Sequence, residues 1–231
     1  MVKNIRKVIL LLILLIGCTQ FSQGQSRKEA LTPGKLQQIR NMLDSILVED
    51  QKYRSNIEEN IKKYGHESEQ VKKQIKIMRK TDSSNLVVVE KILDTYGWLY
   101  PEQIGKRANS TLFLVIQHSN QQTQEKYLPM MRQAVREGKA LPQDLALLED
   151  RILLGKGELQ VYGSQIGTDP QTGEMYVLPV VDPDRINERR TKVGLDSIEE
   201  YISHWNIKWD IEDYKKKLPK WIKNLKEERK K

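Results

Sequence analysis

Apolar residues at three- and four-residue steps run from Leu36 to Leu153, a spacing that leaves the chain little to form except helices. Leu36, Ile39, Met42, Leu43, Ile46 and Leu47 make one stripe, which Tyr53, Ile57, Ile61 and Tyr64 continue. Val71, Ile75 and Met78 mark a more charged set of turns. Asp82 or Ser83 is placed to cap a helix through Leu86, Val89, Ile92, Leu93 and Tyr96, which Gly97 stops. The continuous run in "RANSTLFLVIQ" is ambiguous by pattern, and its place between helices assigns it to a buried helix. Tyr127, Leu128, Met131, Ala134 and Val135 give the next, closed by Gly138. Pro142 opens another through Leu145, Leu148, Ile152 and Leu153, closed by Gly155.

The pattern changes at residue 158. "ELQVYGSQIG" and "EMYVLPVV" are rich in β-formers and flank the turn residues of "TDPQTG". Pro183 restarts helix to about Val193, Gly194 ends it, and "DSIEEYISHW" supplies another. The expected fold class is mainly α: an irregular helical domain over 35–205 with one small β-hairpin, about residues 158–181, packed on it.

The N-terminus reads as an export signal. Lys3, Arg6 and Lys7 precede the apolar run Val8 to Ile16, too short to span a bilayer as a mature helix. "LIGC" at 15–18 resembles the lipobox of bacterial lipoproteins, which implies cleavage before Cys18 and lipidation of its thiol. The competing reading is ordinary cleavage after Ser22-Gln23-Gly24. Cys18 is the only cysteine, so neither an intramolecular disulfide nor a Cys-based metal site is available. Residues 1–17 are thus expected to be signal and 18–34 a tether. The destination would be a bacterial cell envelope, lipid-anchored and facing the periplasm.

The net charge of +8 does not indicate nucleic acid once it is divided by region. Residues 1–17 contribute +3, and residues 214–231 contribute nine cations against two acids, or +7. The body from 18 to 213 is therefore 8 − 3 − 7 = −2, with no electrostatic footprint for a polyanion. The tail, 206–231, places Leu218, Trp221, Ile222 and Leu225 at helical spacing among lysines. Such a face can dock on the domain or lie on an anionic membrane. Pro219 is expected to start a new short helix there, since inside one it costs about 3 kcal/mol.

The chemistry-bearing residues stand in a few short stretches. In "LFLVIQHSN" (112–120) a buried run delivers Gln117 and His118 at its end. His118 can hydrogen-bond a neighbouring carbonyl or act as a general acid or base, since imidazole titrates near neutral pH. In "EDR", Asp150 and Arg151 can form a surface ion pair, or orient a histidine and clamp an anion. "QVYGSQ" puts Gln160, Tyr162 and Ser164 on one face of a strand and Gln165 on the other unless Gly163 bulges it. His66, His118 and His204 lack metal-ligand spacing, so no metal site is expected. No phosphate-binding glycine loop, nucleophile elbow or cofactor motif is recognisable.

Taken in order, "DQKYR" (50–54), "GW" (97–98), "QHSN" (117–120), "EDR" (149–151), "QVYGSQ" (160–165) and "LPVVDPDRINERRTKVGLDSIEEY" (178–201) resemble a bacterial family of domains of unknown function, number 6624. The resemblance covers about residues 36–201 and brings no activity with it. It implies a shared set of polar residues: Asp50, Gln51, Arg54, Gln117, His118, Asp150, Arg151, Gln160, Tyr162, Gln165 and Arg190 or Arg189. Three departures stand out. Pro101 lies three residues after Trp98 rather than beside it, Ser119-Asn120 replace Ala-Asp, and Ser164 replaces Thr.

Two functions follow as expectations. One is a polar pocket that binds a small molecule or an envelope partner through Asp50, Arg54, Gln117, Tyr162, Gln165 and Arg190. The other is a membrane-tethered enzyme, hydrolase- or lyase-like, using His118 as acid/base held by Asp150, with Arg54 or Arg151 on an anionic group. In both, His118 and Gln165 are expected to share one cavity with an arginine.

Overall fold

α5 (Lys106–His118) is the helix around which the first half is built. In the computed structural model, which describes residues 30–169 and 172–228, five other helices pack against it. They are α1 (Pro33–Lys52), α3 (Glu69–Tyr96), α4 (Pro101–Ile104), α6 (Gln121–Arg136) and α7 (Pro142–Gly155). α2 (Ile57–Tyr64) lies against α3. This arrangement explains the continuous apolar run: a helix surrounded on several sides has no polar face to keep. Leu112 and Ile116 are fully buried and join Ile39, Leu43, Leu93 and Leu148 in one core. The signal, Cys18 and the tether up to residue 29 lie outside the described residues.

Most of the expected helices form, with one merger. No helix starts at Asp82 or Ser83; α3 is capped by Ser68 and runs unbroken to Gly97. The Ser83 and Ser84 hydroxyls donate to the carbonyls of Arg79 and Lys80 in the preceding turn. A serine satisfied that way sits inside a helix and does not begin one. Gly97 ends α3 at φ 72°, a conformation that suits glycine, and Trp98 turns directly into the core.

The second half gathers on a smaller core. β1 (Ile166–Thr168) pairs antiparallel with β2 (Met175–Val177), Ile166 opposite Val177. The hairpin is present but shorter than 158–181, because residues 161–165 are not a strand; Gln160 alone makes a bridge, to Val180. A 3-10 turn, Pro183–Arg185, leads into α8 (Ile186–Lys192), followed by α9 (Ile198–Ser203) and α10 (Ile211–Glu228). Val177, Val180, Ile186, Ile198, Ile202, Tyr214 and Trp221 form the apolar cluster beneath them.

The tail differs from expectation at Pro219, which lies inside α10. The helix continues because its apolar face is covered. Trp221 stacks on Tyr176 of β2 at 4.4 Å, and Tyr214 is buried beside it. The Tyr214 hydroxyl accepts from Val180 N–H and donates to Leu178 C=O, tying α10 to the end of the hairpin. Lys216, Lys217, Lys220, Lys223 and Lys226 are exposed along it. No helix among the described residues is long and apolar enough to cross a membrane.

Candidate functional site

The end of α1 meets the end of α5, and two side chains meet with them. His118 Nδ1 lies 2.9 Å from Asp50 Oδ1, with Asp50 buried and His118 nearly so. Burial pushes the Asp50 carboxyl up. The hydrogen bond and charge of His118, then Arg54 and Gln51, outweigh it and hold the group below its ordinary value. An ionised carboxylate can only accept, so the proton between the two belongs to Nδ1. In neutral His118 that leaves Nε2 as the acceptor, the tautomer a general base requires.

Arg54 completes this cluster from the turn after α1. Its Nε is 3.4 Å from Asp50 Oδ2, an ion pair without a formed hydrogen bond, and its Nη2 pairs with Asp82 of α3. Asp50, Asp82 and His118 offer three ligand atoms within 4.8 Å of one another, a grouping the histidine spacing gave no sign of. The Arg54 guanidinium is held by the same two carboxylates that would hold a metal ion, so the cation position is filled by the protein itself.

A cleft of about 400 Å³ opens beside this cluster. Arg151 of α7 and Gln165 line it, together with Gln121 and Gln124 of α6 and Leu225 of α10. Arg151 is the unusual member. Its Nε is buried with no hydrogen-bond partner, and no carboxylate lies within ion-pair distance of it among the described residues. Burial, and then the like charge of Arg54, lower its affinity for its proton. Gln124 links cleft to cluster, because its amide donates to the carbonyls of Gln117 and Ser119 on either side of His118.

The single cavity expected to hold both His118 and Gln165 does not form among the described residues. Arg151 and Gln165 line the cleft, whereas His118, Asp50 and Arg54 make their own cluster and are not in its walls. The partner of His118 is Asp50 and not Asp150. Asp150 is fully buried and accepts backbone N–H groups from Val161, Tyr162 and Ser164 at 2.7, 3.0 and 2.9 Å. Burial pushes its carboxyl up against those three donors. It organises the loop and touches no histidine.

The rest of that loop is scaffold too. Gln160 is buried, donates to the carbonyls of Gln165 and Leu178, and accepts from Gln165 N–H. Arg190 is buried and donates to the carbonyls of Tyr162 and Asp196, its guanidinium over the Tyr201 ring at 4.7 Å. Gly163 adopts φ 67°, and a Cβ there would meet Ile186 Cδ1 at 2.8 Å, so any side chain at that point is strained. Tyr162 gives its N–H to Asp150, and its phenol feels Glu149, Arg132 and Arg189 and stays out of the cleft walls. Gln117 is buried, its Oε1 without a partner among the described residues.

Asp82, Gln121 and Gln124 are the site residues that motif reasoning missed. Asp82 was visible only as a possible helix cap, and the two glutamines belong to no motif. The one usable signal was the four-residue spacing of Asp50 and Arg54.

Fold and site together define a mainly helical protein with a buried histidine–aspartate pair beside an arginine-lined cleft. The profile of a family described as a family of unknown function, DUF6624, matches residues 37–212, and the chain belongs to that family. No curated protein and no solved structure matches it.

Proposed function

We propose that this is an exported envelope protein, held to a membrane through Cys18, whose cleft beside Arg151 binds a small anionic molecule. The observation that carries the ligand class is Arg151 itself. A half-buried guanidinium whose Nε is buried without a partner among the described residues, beside a like-charged neighbour, is costly, and an anion in the cleft would relieve it. Gln121 and Gln165 line the same space and each keep one amide N–H beyond those given to Glu125 and Ser164. The export and anchoring half rests on the charged and apolar N-terminal regions and "LIGC".

The test is binding of phosphate, acetate and citrate to the chain without its first 29 residues, followed by calorimetry and melting temperature. At least one anion should bind and raise the melting point, and Arg151→Gln should abolish both effects while Arg132→Gln leaves them. Failure of all three anions, or binding unchanged in Arg151→Gln, would reject the reading.

One observation favours an enzyme built on the neighbouring histidine–aspartate pair. His118 has Nδ1 engaged by Asp50, which in the neutral ring leaves Nε2 as the acceptor a general base needs. Hydrolysis of p-nitrophenyl acetate or phosphate by the parent, lost in His118→Gln, would support it; equal rates would exclude it for those esters.

A further inference from the structure

We infer that the protein carries a second ligand site, a saccharide-binding cleft between the β-hairpin and α10, independent of the arginine-lined one. The cavity is about 300 Å³, room for one ring-sized ligand. Its floor is aromatic. Tyr176 and Trp221 stack at 4.4 Å, Tyr214 tilts against Trp221 at 5.3 Å, and Trp209 tilts against Tyr214 at 4.8 Å. Tyr214 and Trp221 are spent on the core, but Trp209 stands on the loop between α9 and α10 and is only half-buried. Tyr176 and Trp209 pack against that core with part of each side chain left exposed beside the cavity.

The rim selects among ligands that favour aromatic floors. Four carboxylates and three ammonium groups line the cavity, a net charge of −1. A cation would face three ammonium groups there, and an anion four carboxylates. A neutral polyol meets neither penalty. The apolar face of a pyranose presents C–H hydrogens to the negative face of an indole, and its hydroxyls both donate and accept. Glu174 is the acceptor best placed to answer them. Its side chain is exposed, lines the cavity and makes no hydrogen bond or ion pair among the described residues, whereas Asp213 is held by Lys217 and Asp210 caps the first turn of α10.

The site is tested by following the four tryptophan indole N–H signals by NMR while glucose, N-acetylglucosamine and their β-1,4-linked trisaccharides are added. At least one should shift the Trp209 signal with a Kd of about 1 mM or tighter. Trp209→Ala should weaken binding about ten-fold or more. Glu174→Gln, an exposed change that leaves the fold alone, should weaken it several-fold at an unchanged melting temperature. Arg151→Gln should leave it intact, which separates this site from the anion cleft. No shift with any of the four sugars overturns the inference, as do binding unaffected by both variants and binding of tetramethylammonium in their place.

Discussion

His118 and Asp50 are 68 residues apart in the chain and 2.9 Å apart in space, and the carboxylate fixes which imidazole nitrogen carries the proton. Asp50→Asn replaces a partner that can only accept with one that can accept or donate, so the choice is no longer dictated. Long-range proton–nitrogen NMR should report His118 protonated at Nδ1 in the parent and a mixture of tautomers in the variant. The same change has a pH signature. The folded Asp50 carboxyl lies below its ordinary 3.8, so its contribution is fully present above about pH 4 and lost as pH falls through the lower folded value. The parent should therefore exceed Asp50→Asn by about 3 kcal/mol at pH 6. The gap should close under acid. A gap independent of pH would show that the pair is not ionised.

Asp150→Asn tests the scaffold role. The amide keeps one acceptor oxygen and turns an N–H group toward a backbone donor. The expected loss is about 2–4 kcal/mol of stability, read by chemical denaturation. His118 should keep its tautomer, because Asp150 does not touch it. A tautomer change with full stability would return Asp150 to the histidine.

Asp144, half-buried in the first turn of α7, behaves in the opposite sense to Asp50. Burial pushes its carboxyl up to about 6 from 3.8. The folded state then holds the proton more tightly than the unfolded chain. That stabilisation is fully present below about pH 4 and lost as pH rises through about 6. Asp144→Asn should consequently be the more stable protein at pH 8, by about 1–3 kcal/mol, with no difference near pH 4. Equal melting points at pH 8 would refute it.

Tyr214→Phe should cost about 1–3 kcal/mol, since both Val180 N–H and Leu178 C=O lose their shared partner. If α10 is an integral part of the fold, this single oxygen should matter to the melting temperature of the whole chain. An unchanged melting point would mean that α10 docks without it.

The N-terminus is checked by mass spectrometry of the mature protein. A diacyl- or triacyl-modified Cys18 as the first residue is expected; a chain beginning at Gln25 would reject the anchor.

Helix positions were legible in the sequence wherever one face had to be apolar, as from Leu36 to Leu47 and from Leu145 to Leu153. The failures have local causes. Ser83 looks like a cap because its hydroxyl competes for backbone groups, and only the structure shows it bonding back to Arg79. "QVYGSQ" alternates like a strand, yet Asp150, Gln160 and Arg190 saturate its backbone from the side and no neighbouring strand is needed. Pro219 argued for a break, and the burial of Tyr214 and Trp221 on the hairpin side offset its cost. The residue types at the site were readable, His118 and Arg151 above all. Their partners were not, because spacing carries no information about a carboxylate 68 residues away.

Leu225 gives the arginine-lined cleft one wall from the final helix, whereas Arg151, Gln121, Gln124 and Gln165 all lie within the stretch that defines the family. The cleft is thus assembled from two parts of the chain, one inside the family match and one outside it. If it binds an anion as proposed, the part within 37–212 supplies the charge and Leu225 part of the boundary that limits the ligand's size. Members of the family with a different C-terminal helix would then admit different molecules to the same arginine, and exchanging that helix between members is a route to changing selectivity without disturbing the histidine–aspartate pair.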